Sequence, residues 1–326
     1  MVTGTQRASN STATLFANHF TGDNLAIGNV PSKLNLDIRG GYASRTGGCL
    51  CREQVAVDAA QCFARLLRHE ETYHGHNGHL VLPDWLGGHP HRNGRLQEGD
   101  TTLEGFLAYD TAQPNPRPGV LVVHQWKGIT DYEKKRATLI AELGYTVLVA
   151  DIYGKGVRAD NPKDAAALAG KYKSDRALLR ARVQAALETL RRNPRVNPTS
   201  MAAIGYCFGG TTVLELARSG ADVQGVVSFH GGLSTPTPAG DKKVQAKVLA
   251  LHGADDPHVP PAEVAGFEKE MRDAGVDWQL VSYGGAVHSF TDWNAGNDNS
   301  KGAAYNEKAD KRSWDAMKAF FAETLR

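Results

Sequence analysis

The stretch Gly205-Tyr206-Cys207-Phe208-Gly209-Gly210 places a cysteine at the centre of a glycine-flanked turn. The preceding run, Met201-Ala202-Ala203-Ile204, is short and apolar, as in a buried strand. The following run, from Thr211 to Arg218, carries apolar residues at helical spacing. Glycines allow a strand to turn sharply into a helix and lift the central side chain clear of the backbone. The stretch therefore predicts a strand, a tight turn and a helix, with the Cys207 thiol at the tip.

Composition indicates a globular protein. The 326 residues are 41% hydrophobic and 22% charged, and the formal net charge is +2. This charge gives no electrostatic basis for binding nucleic acid or an anionic membrane. The first thirty residues show no secretory signal, and no apolar stretch is long enough to span a bilayer. We therefore expect a cytoplasmic protein whose four cysteines are reduced.

Residues 1–94 differ from the rest because they are rich in Gly, Asn, Thr, Ser and His. We expect an accessory or non-native leader, poorly ordered, and we expect activity to survive its deletion. A metal site is the alternative, but no regular element would fix the ligand geometry, so we expect no metal. The histidines concerned are His69, His74, His76, His79, His89 and His91.

Residues 95–326 alternate between strand-like and helical patterns. This alternation predicts an α/β fold with a mainly parallel, doubly wound sheet and helices on both faces. Together with the glycine-flanked turn at Cys207, it indicates the α/β-hydrolase fold. The predicted strands are Gly119–His124, Thr146–Ala150, Met201–Gly205, Gln224–Phe229, Lys247–His252 and Trp278–Tyr283. The predicted helices are Asp131–Leu143, Ser174–Arg192, Thr211–Arg218, Pro261–Ala274 and Asn306–Leu325.

Three chemistry-bearing residues each follow a different predicted strand. Cys207 comes first, an acid follows the strand ending at His252, and His288 follows the last strand. The order nucleophile, acid, histidine is that of the α/β-hydrolase triad. Asp255 and Asp256 could both be turn residues; we favour Asp256 as the acid because Pro257 begins the next turn. In this arrangement His288 takes and returns the thiol proton, and Asp256 orients its ring.

The predicted domain resembles the dienelactone hydrolase family, the cysteine-using branch of the α/β-hydrolases. The matching motifs are Gly205–Gly210, Asp256-Pro257-His258-Val259-Pro260, His288-Ser289-Phe290, Val122-Val123-His124-Gln125-Trp126-Lys127-Gly128 and Ala150-Asp151-Ile152-Tyr153-Gly154. The resemblance implies a triad of Cys207, Asp256 and His288. It also implies an oxyanion hole made by the backbone N–H groups of Phe208 and Trp126, each worth about 3 kcal/mol to the reaction barrier.

Two residues depart from the family pattern. The family has a glutamate that helps to generate the thiolate where this chain has Gln125, a side chain that cannot act as a base. We therefore hypothesise a resting thiolate–imidazolium pair of Cys207 and His288, stabilised by the helix N-terminus. The family also has an arginine that clamps a substrate carboxylate where this chain has Asp292. We expect Asp292 to repel anionic dienelactones.

The sequence thus predicts a hydrolase of neutral carboxylic esters or lactones that forms a covalent thioester and favours activated aryl esters. Promiscuous hydrolysis of activated phosphotriesters is a second expectation. The alternative is a thiol-redox or ligand-binding protein on the same fold, which the Gln125 departure favours. We expect no cofactor, and a monomer or homodimer. Besides Asp292, the substrate pocket is predicted to be lined by Trp126, Tyr206, Phe208, Phe290 and Trp293.

Overall fold

A computed structural model describes residues 92–239 and 244–325 of the chain. The predicted leader and its histidines therefore lie almost wholly outside the described residues. The first described strand begins at Arg92, slightly before the predicted domain start. Among the residues that are described, no helix is both long and apolar enough to cross a membrane.

Eight strands form one sheet within the described residues, in the order β1-β2-β4-β3-β5-β6-β7-β8. The β1–β2 and β2–β4 pairs are antiparallel, and every other pair is parallel. The predicted α/β-hydrolase fold with a mainly parallel sheet is confirmed. The strands are β1 Arg92–Glu98, β2 Thr101–Ala108, β3 Arg117–Val123, β4 Thr146–Ala150, β5 Val196–Tyr206, β6 Gly225–Phe229, β7 Lys247–Gly253 and β8 Trp278–Tyr283.

Helices cover both faces of the sheet. Alternate residues of β3 point to opposite faces, so Leu121 and Val123 join one core cluster whereas Val120 and Val122 join the other. Helices α2 to α5 pack on the first cluster, and α1 and α6 pack on the second. The helices are α1 Asp131–Glu142, α2 Pro162–Ser174, α3 Arg176–Arg191, α4 Phe208–Arg218, α5 Pro261–Asp273 and α6 Glu307–Thr324.

One local difference from prediction is the start of α4. This helix begins at Phe208, directly after the cysteine, and not at Thr211. The early start brings the helix backbone against the sheet, and a Cβ at Gly209 would collide with the carbonyl oxygen of Val123. Glycine is required there because only hydrogen fits the gap. The thiol consequently lies at the N-terminus of α4, where the helix dipole favours negative charge.

Candidate active site

Cys207 occupies the sharp turn between β5 and α4. Its backbone has a φ of 55°, which is uncommon for a residue with a side chain. A Cβ at Gly205 would collide with the carbonyl oxygen of Gly209, so the two glycines allow the strand and helix to approach. The strained backbone lifts the thiol above the carboxyl end of the sheet, as expected for a nucleophile elbow.

The structure brings the three predicted triad side chains into one row. The Cys207 Sγ lies 3.1 Å from the His288 Nε2, and the His288 Nδ1 lies 2.8 Å from the Asp256 Oδ2. The other Asp256 oxygen accepts the backbone N–H of His258 at 2.8 Å, which fixes the carboxylate. Asp255 instead accepts the Gly285 N–H at 3.0 Å and does not contact the imidazole. Of the two adjacent acids, the geometry selects Asp256.

The local electrostatics favour charge separation between the thiol and the imidazole. Burial raises the pKa of the Cys207 thiol, but the charge and hydrogen bond of His288 outweigh this and leave the pKa lowered. Burial lowers the pKa of His288, whereas Cys207 and Asp256 raise it to about 10. Burial likewise opposes ionisation of Asp256, yet the bond from His288 leaves its pKa lowered. Both shifts have the direction that a thiolate–imidazolium pair of Cys207 and His288 requires.

The loop after β3 faces the thiol and is held rigidly. Burial lowers the pKa of His124 to about 4, so the ring is neutral. Its Nδ1 lies 2.6 Å from the Gln125 carbonyl, and its Nε2 accepts the Ile152 N–H at 3.1 Å. The Tyr153 hydroxyl donates to the Trp126 carbonyl at 2.9 Å. These bonds fix the peptide units around Trp126, whose N–H is one of the two predicted oxyanion donors.

The second predicted donor belongs to the elbow itself. Phe208 is the first residue of α4, and its backbone N–H interacts with the Cys207 sulfur and helps to lower the thiol pKa. Trp126 and Phe208 both line the cleft that contains Cys207 and His288. An oxyanion hole requires backbone donors that point to the position of the substrate oxygen, and the predicted pair, Phe208 and Trp126, borders the same cleft as the thiol.

The two residues that depart from the family pattern contact each other. The Gln125 side-chain amide donates from Nε2 to the Asp292 Oδ2 at 2.9 Å. The Gln125 backbone N–H donates to Glu133 at 3.0 Å, which ties the loop to the first turn of α1. The Gln125 side chain is thus oriented by its hydrogen bond to a carboxylate, and as an amide it cannot act as a base.

The cleft has two neighbouring lobes that share Trp126, Ser289 and Ala303. The lobe of about 480 Å³ contains the thiol and the imidazole and is mostly apolar, with Lys173 and Lys301 at its edge. The lobe of about 410 Å³ contains Gln125 and Asp292. Both volumes suit a small organic substrate.

Part of the predicted pocket lining was wrong. Tyr206 and Phe290 are 0% exposed and belong to the core cluster beneath the site, so neither presents a surface to substrate. Tyr206 is the last residue of β5 and Phe290 lies in the loop after β8, so closeness in sequence to Cys207 and His288 does not place their rings in the cleft. Trp293 is 41% exposed and lies over the Arg136 guanidinium at 4.7 Å.

Sequence reasoning missed a polar connection behind the triad. The His230 Nδ1 accepts the Cys207 backbone N–H at 3.1 Å, and its Nε2 lies 2.8 Å from the Thr291 Oγ1. The only available signal was position, because His230 directly follows β6 at the carboxyl edge of the sheet. One histidine among twelve carries little information without its contacts.

Comparison with known proteins places the chain among hydrolases. The family described as "Dienelactone hydrolase family" matches residues 103–325. A protein of Caenorhabditis elegans is 37% identical over 154 residues, which cover 45% of this chain and 94% of that protein. A "Probable 2-oxo-3-(5-oxofuran-2-ylidene)propanoate lactonase" of Bradyrhizobium sp. is 30% identical over 203 residues, covering 58% of this chain and 81% of the lactonase.

A solved structure is similar over the same region. It is a dienelactone hydrolase-like promiscuous phosphotriesterase from metagenomic libraries, 40% identical, with a TM-score of 0.70. The alignment covers 73% of this chain and 100% of that one. The family match spans more than half of the chain and includes the elbow and all three residues of the row. The chain therefore belongs to the dienelactone hydrolase family.

Proposed function

We propose that this protein hydrolyses neutral carboxylic esters or lactones through a triad of Cys207, His288 and Asp256. The observation that carries the proposal is the row of contacts at 3.1 Å and 2.8 Å from thiol to imidazole to carboxylate. The row opens into the larger lobe of the cleft, where Cys207 and His288 are both part of the lining. A substrate carbonyl entering this lobe meets the sulfur directly.

The acylation step begins with attack of the Cys207 thiolate on the carbonyl carbon. The N–H groups of Phe208 and Trp126 stabilise the oxyanion that forms. As this intermediate collapses, the carbon–oxygen bond to the leaving group breaks, and the His288 Nε2 gives its proton to the departing alkoxide. The product alcohol leaves, and the acyl group remains on Cys207 as a thioester.

Deacylation reverses these roles with water as the nucleophile. Neutral His288 removes a proton from the water as its oxygen attacks the thioester carbon. The carbon–sulfur bond then breaks, which restores the Cys207 thiolate beside the imidazolium and releases the acid. In the proposed resting pair Cys207 is already a thiolate, so no base in the position of Gln125 is needed. Aryl esters are the best substrates because their leaving groups need little help.

The charge of the smaller lobe supports neutral substrates. The Asp292 carboxylate accepts the Gln125 amide and lines the lobe next to the nucleophile. At a separation of about 6–12 Å near a protein surface, two like charges repel by about 1.4–3 kcal/mol. A substrate that carries its own carboxylate into this lobe is accordingly disfavoured.

Activated phosphotriesters are a second candidate substrate class. The likeness to a promiscuous phosphotriesterase, at 40% identity over its full length, favours this side activity. The thiolate and the two backbone donors could accept a neutral phosphoryl centre in place of a carbonyl. The thiol chemistry also needs a reducing compartment, and we propose the cytoplasm as its setting.

A substrate panel tests the proposal against a thiol-redox or ligand-binding role. The panel contains p-nitrophenyl esters, a neutral lactone, a carboxylate-bearing lactone and an aryl phosphotriester. We expect rapid turnover of the aryl esters by the wild type, slow turnover of the phosphotriester, and loss of both in Cys207→Ala. Full activity in Cys207→Ala or in His288→Ala would contradict the proposal. Absence of phosphotriester turnover beside rapid ester turnover would remove the second candidate alone.

A further inference from the structure

A buried polar bridge joins the cysteine turn to the loop that carries the histidine. The Cys207 backbone N–H is shared between the Phe229 carbonyl at 3.0 Å and the His230 Nδ1 at 3.1 Å. The opposite ring nitrogen, Nε2, lies 2.8 Å from the Thr291 hydroxyl. His230 is 1% exposed and Thr291 is 0% exposed. Water therefore does not compete for either ring nitrogen, and the bridge is a fixed part of the structure.

The contacts define the protonation state of His230. Its Nδ1 accepts a hydrogen bond, so the proton is on Nε2 and is donated to Thr291. Burial, together with the positive charges of His288 and Arg136, lowers the pKa of His230 well below its usual range. A second proton would break the bond from Cys207 and would place a charge beside the His288 ring, whose centroid is 5.3 Å away. The bridge is therefore available only in the neutral tautomer.

Both ends of the bridge are anchored. His230 has a φ of 40°, a strained conformation, and its backbone N–H donates to the Leu251 carbonyl at 2.8 Å. Thr291 lies three residues after His288; its hydroxyl lies 2.6 Å from that of Tyr132, and its carbonyl accepts Arg136 at 2.7 Å. Strain of this kind persists only where the surroundings hold it, which indicates that the position of His230 matters.

We propose that His230 and Thr291 are positioning residues that fix the cysteine turn relative to the His288 loop. The bridge spans the two segments whose separation sets the 3.1 Å contact between the Cys207 sulfur and the His288 Nε2. Neither residue contacts the reacting atoms in this role. The inference rests on the proposed use of the Cys207–His288 pair, and it concerns formation of that pair before any substrate binds.

Thr291 offers a test that preserves shape. Thr291→Val removes the hydroxyl, and Thr291→Ser retains it. We expect Thr291→Val to raise the apparent thiol pKa, read from the pH dependence of iodoacetamide alkylation, by about one unit and to lower kcat/KM for an aryl ester about tenfold. Thr291→Ser should remain within about threefold of the wild type. The matched control is Thr146→Val, at a fully buried threonine at the opposite end of the sheet, which should leave both readouts unchanged.

A double-mutant cycle identifies the bridge as the cause. His230→Asn retains an acceptor for the Cys207 N–H but cannot reach Thr291. If both residues act through the same bridge, the thiol pKa and kcat/KM of the double variant His230→Asn with Thr291→Val should equal those of the more impaired single variant. Additive losses would contradict the proposal, as would an unchanged alkylation profile in a folded Thr291→Val. If Thr291→Val does not fold, the alkylation profile of His230→Asn alone decides.

The alkylation readout separates this inference from the proposed function. If the wild type hydrolyses no ester but its thiol pKa still rises in Thr291→Val, the proposed function fails and the positioning role stands. If esters are hydrolysed and the thiol pKa does not move in any of the variants, the positioning role fails and the proposed function stands.

Discussion

Replacing Asp256 by asparagine removes the charge that supports the imidazolium while leaving an acceptor for the ring. In the wild type the His288 Nδ1 lies 2.8 Å from the Asp256 carboxylate, and the pKa of His288 is raised to about 10. Loss of one adjacent opposite charge typically shifts a pKa by about 1–3 units, which corresponds to about 1.4–4 kcal/mol. We therefore expect the pKa of His288 in Asp256→Asn to lie at about 7–9, against about 10 in the wild type.

The assay is the rate of Cys207 alkylation against pH, with kcat/KM for an aryl ester measured in parallel. In the wild type the alkylation rate should reach a plateau above the lowered pKa of the Cys207 thiol. This plateau should end where His288 loses its proton, near pH 10. In Asp256→Asn the upper limit should move to lower pH and the plateau should narrow. Asp255→Asn is the matched control, because Asp255 is exposed and, among the described residues, its side chain accepts only the Gly285 N–H.

The same carboxylate has a linked effect on stability. The pKa of folded Asp256 is lowered from 3.8, so its stabilisation is present above that value and is lost as pH falls through the folded pKa. The difference in melting temperature between the wild type and Asp256→Asn should therefore become smaller at acid pH. An unchanged alkylation profile in folded Asp256→Asn, or equal shifts in Asp255→Asn, would refute the reasoning.

Two further variants test charge selection and the cysteine turn. The ratio of kcat/KM for a carboxylate-bearing ester to that for its neutral analogue should rise by about one to two orders of magnitude in Asp292→Asn. The reason is that a repulsion of about 1–3 kcal/mol is removed. An unchanged ratio would show that the substrate carboxylate binds away from Asp292. Gly205→Ala should prevent soluble expression because its Cβ collides with the Gly209 backbone. The control is Gly266→Ala, in α5, where a Cβ meets open space. This variant should raise the free energy of unfolding by about 0.5–1 kcal/mol, measured by thermal or urea unfolding. A stable, soluble Gly205→Ala would contradict the close approach of β5 to the first turn of α4.

The inner part of the fold could be predicted because burial leaves a strong pattern. The strand Trp278–Tyr283 has the bounds that the sequence predicts, and the helix Asp131–Glu142 differs by one residue. The hairpin of Arg92–Glu98 and Thr101–Ala108 was not predicted. Its second strand is only half-buried and mixes polar with apolar residues, so its periodicity is weak.

The site could be predicted as far as chain order allowed. Cys207, Asp256 and His288 each follow a strand, and parallel strands bring their carboxyl ends to one edge. The contact of Gln125 with Asp292 could not be found this way, because the two residues are 167 positions apart and neither lies in a periodic element. The bridge through His230 depends likewise on contacts between loops, and periodicity carries no information about them.

The central claim is that Cys207 carries the acyl group during turnover. It is tested most directly by mixing the protein with a p-nitrophenyl ester, quenching within one turnover and determining the mass of the peptide that contains Cys207. The account predicts a mass increase equal to the acyl group on that cysteine, together with a burst of one p-nitrophenol per active site. Rapid turnover during which Cys207 stays unmodified would contradict the claim. Turnover by Cys207→Ala at the wild-type rate would contradict it as well.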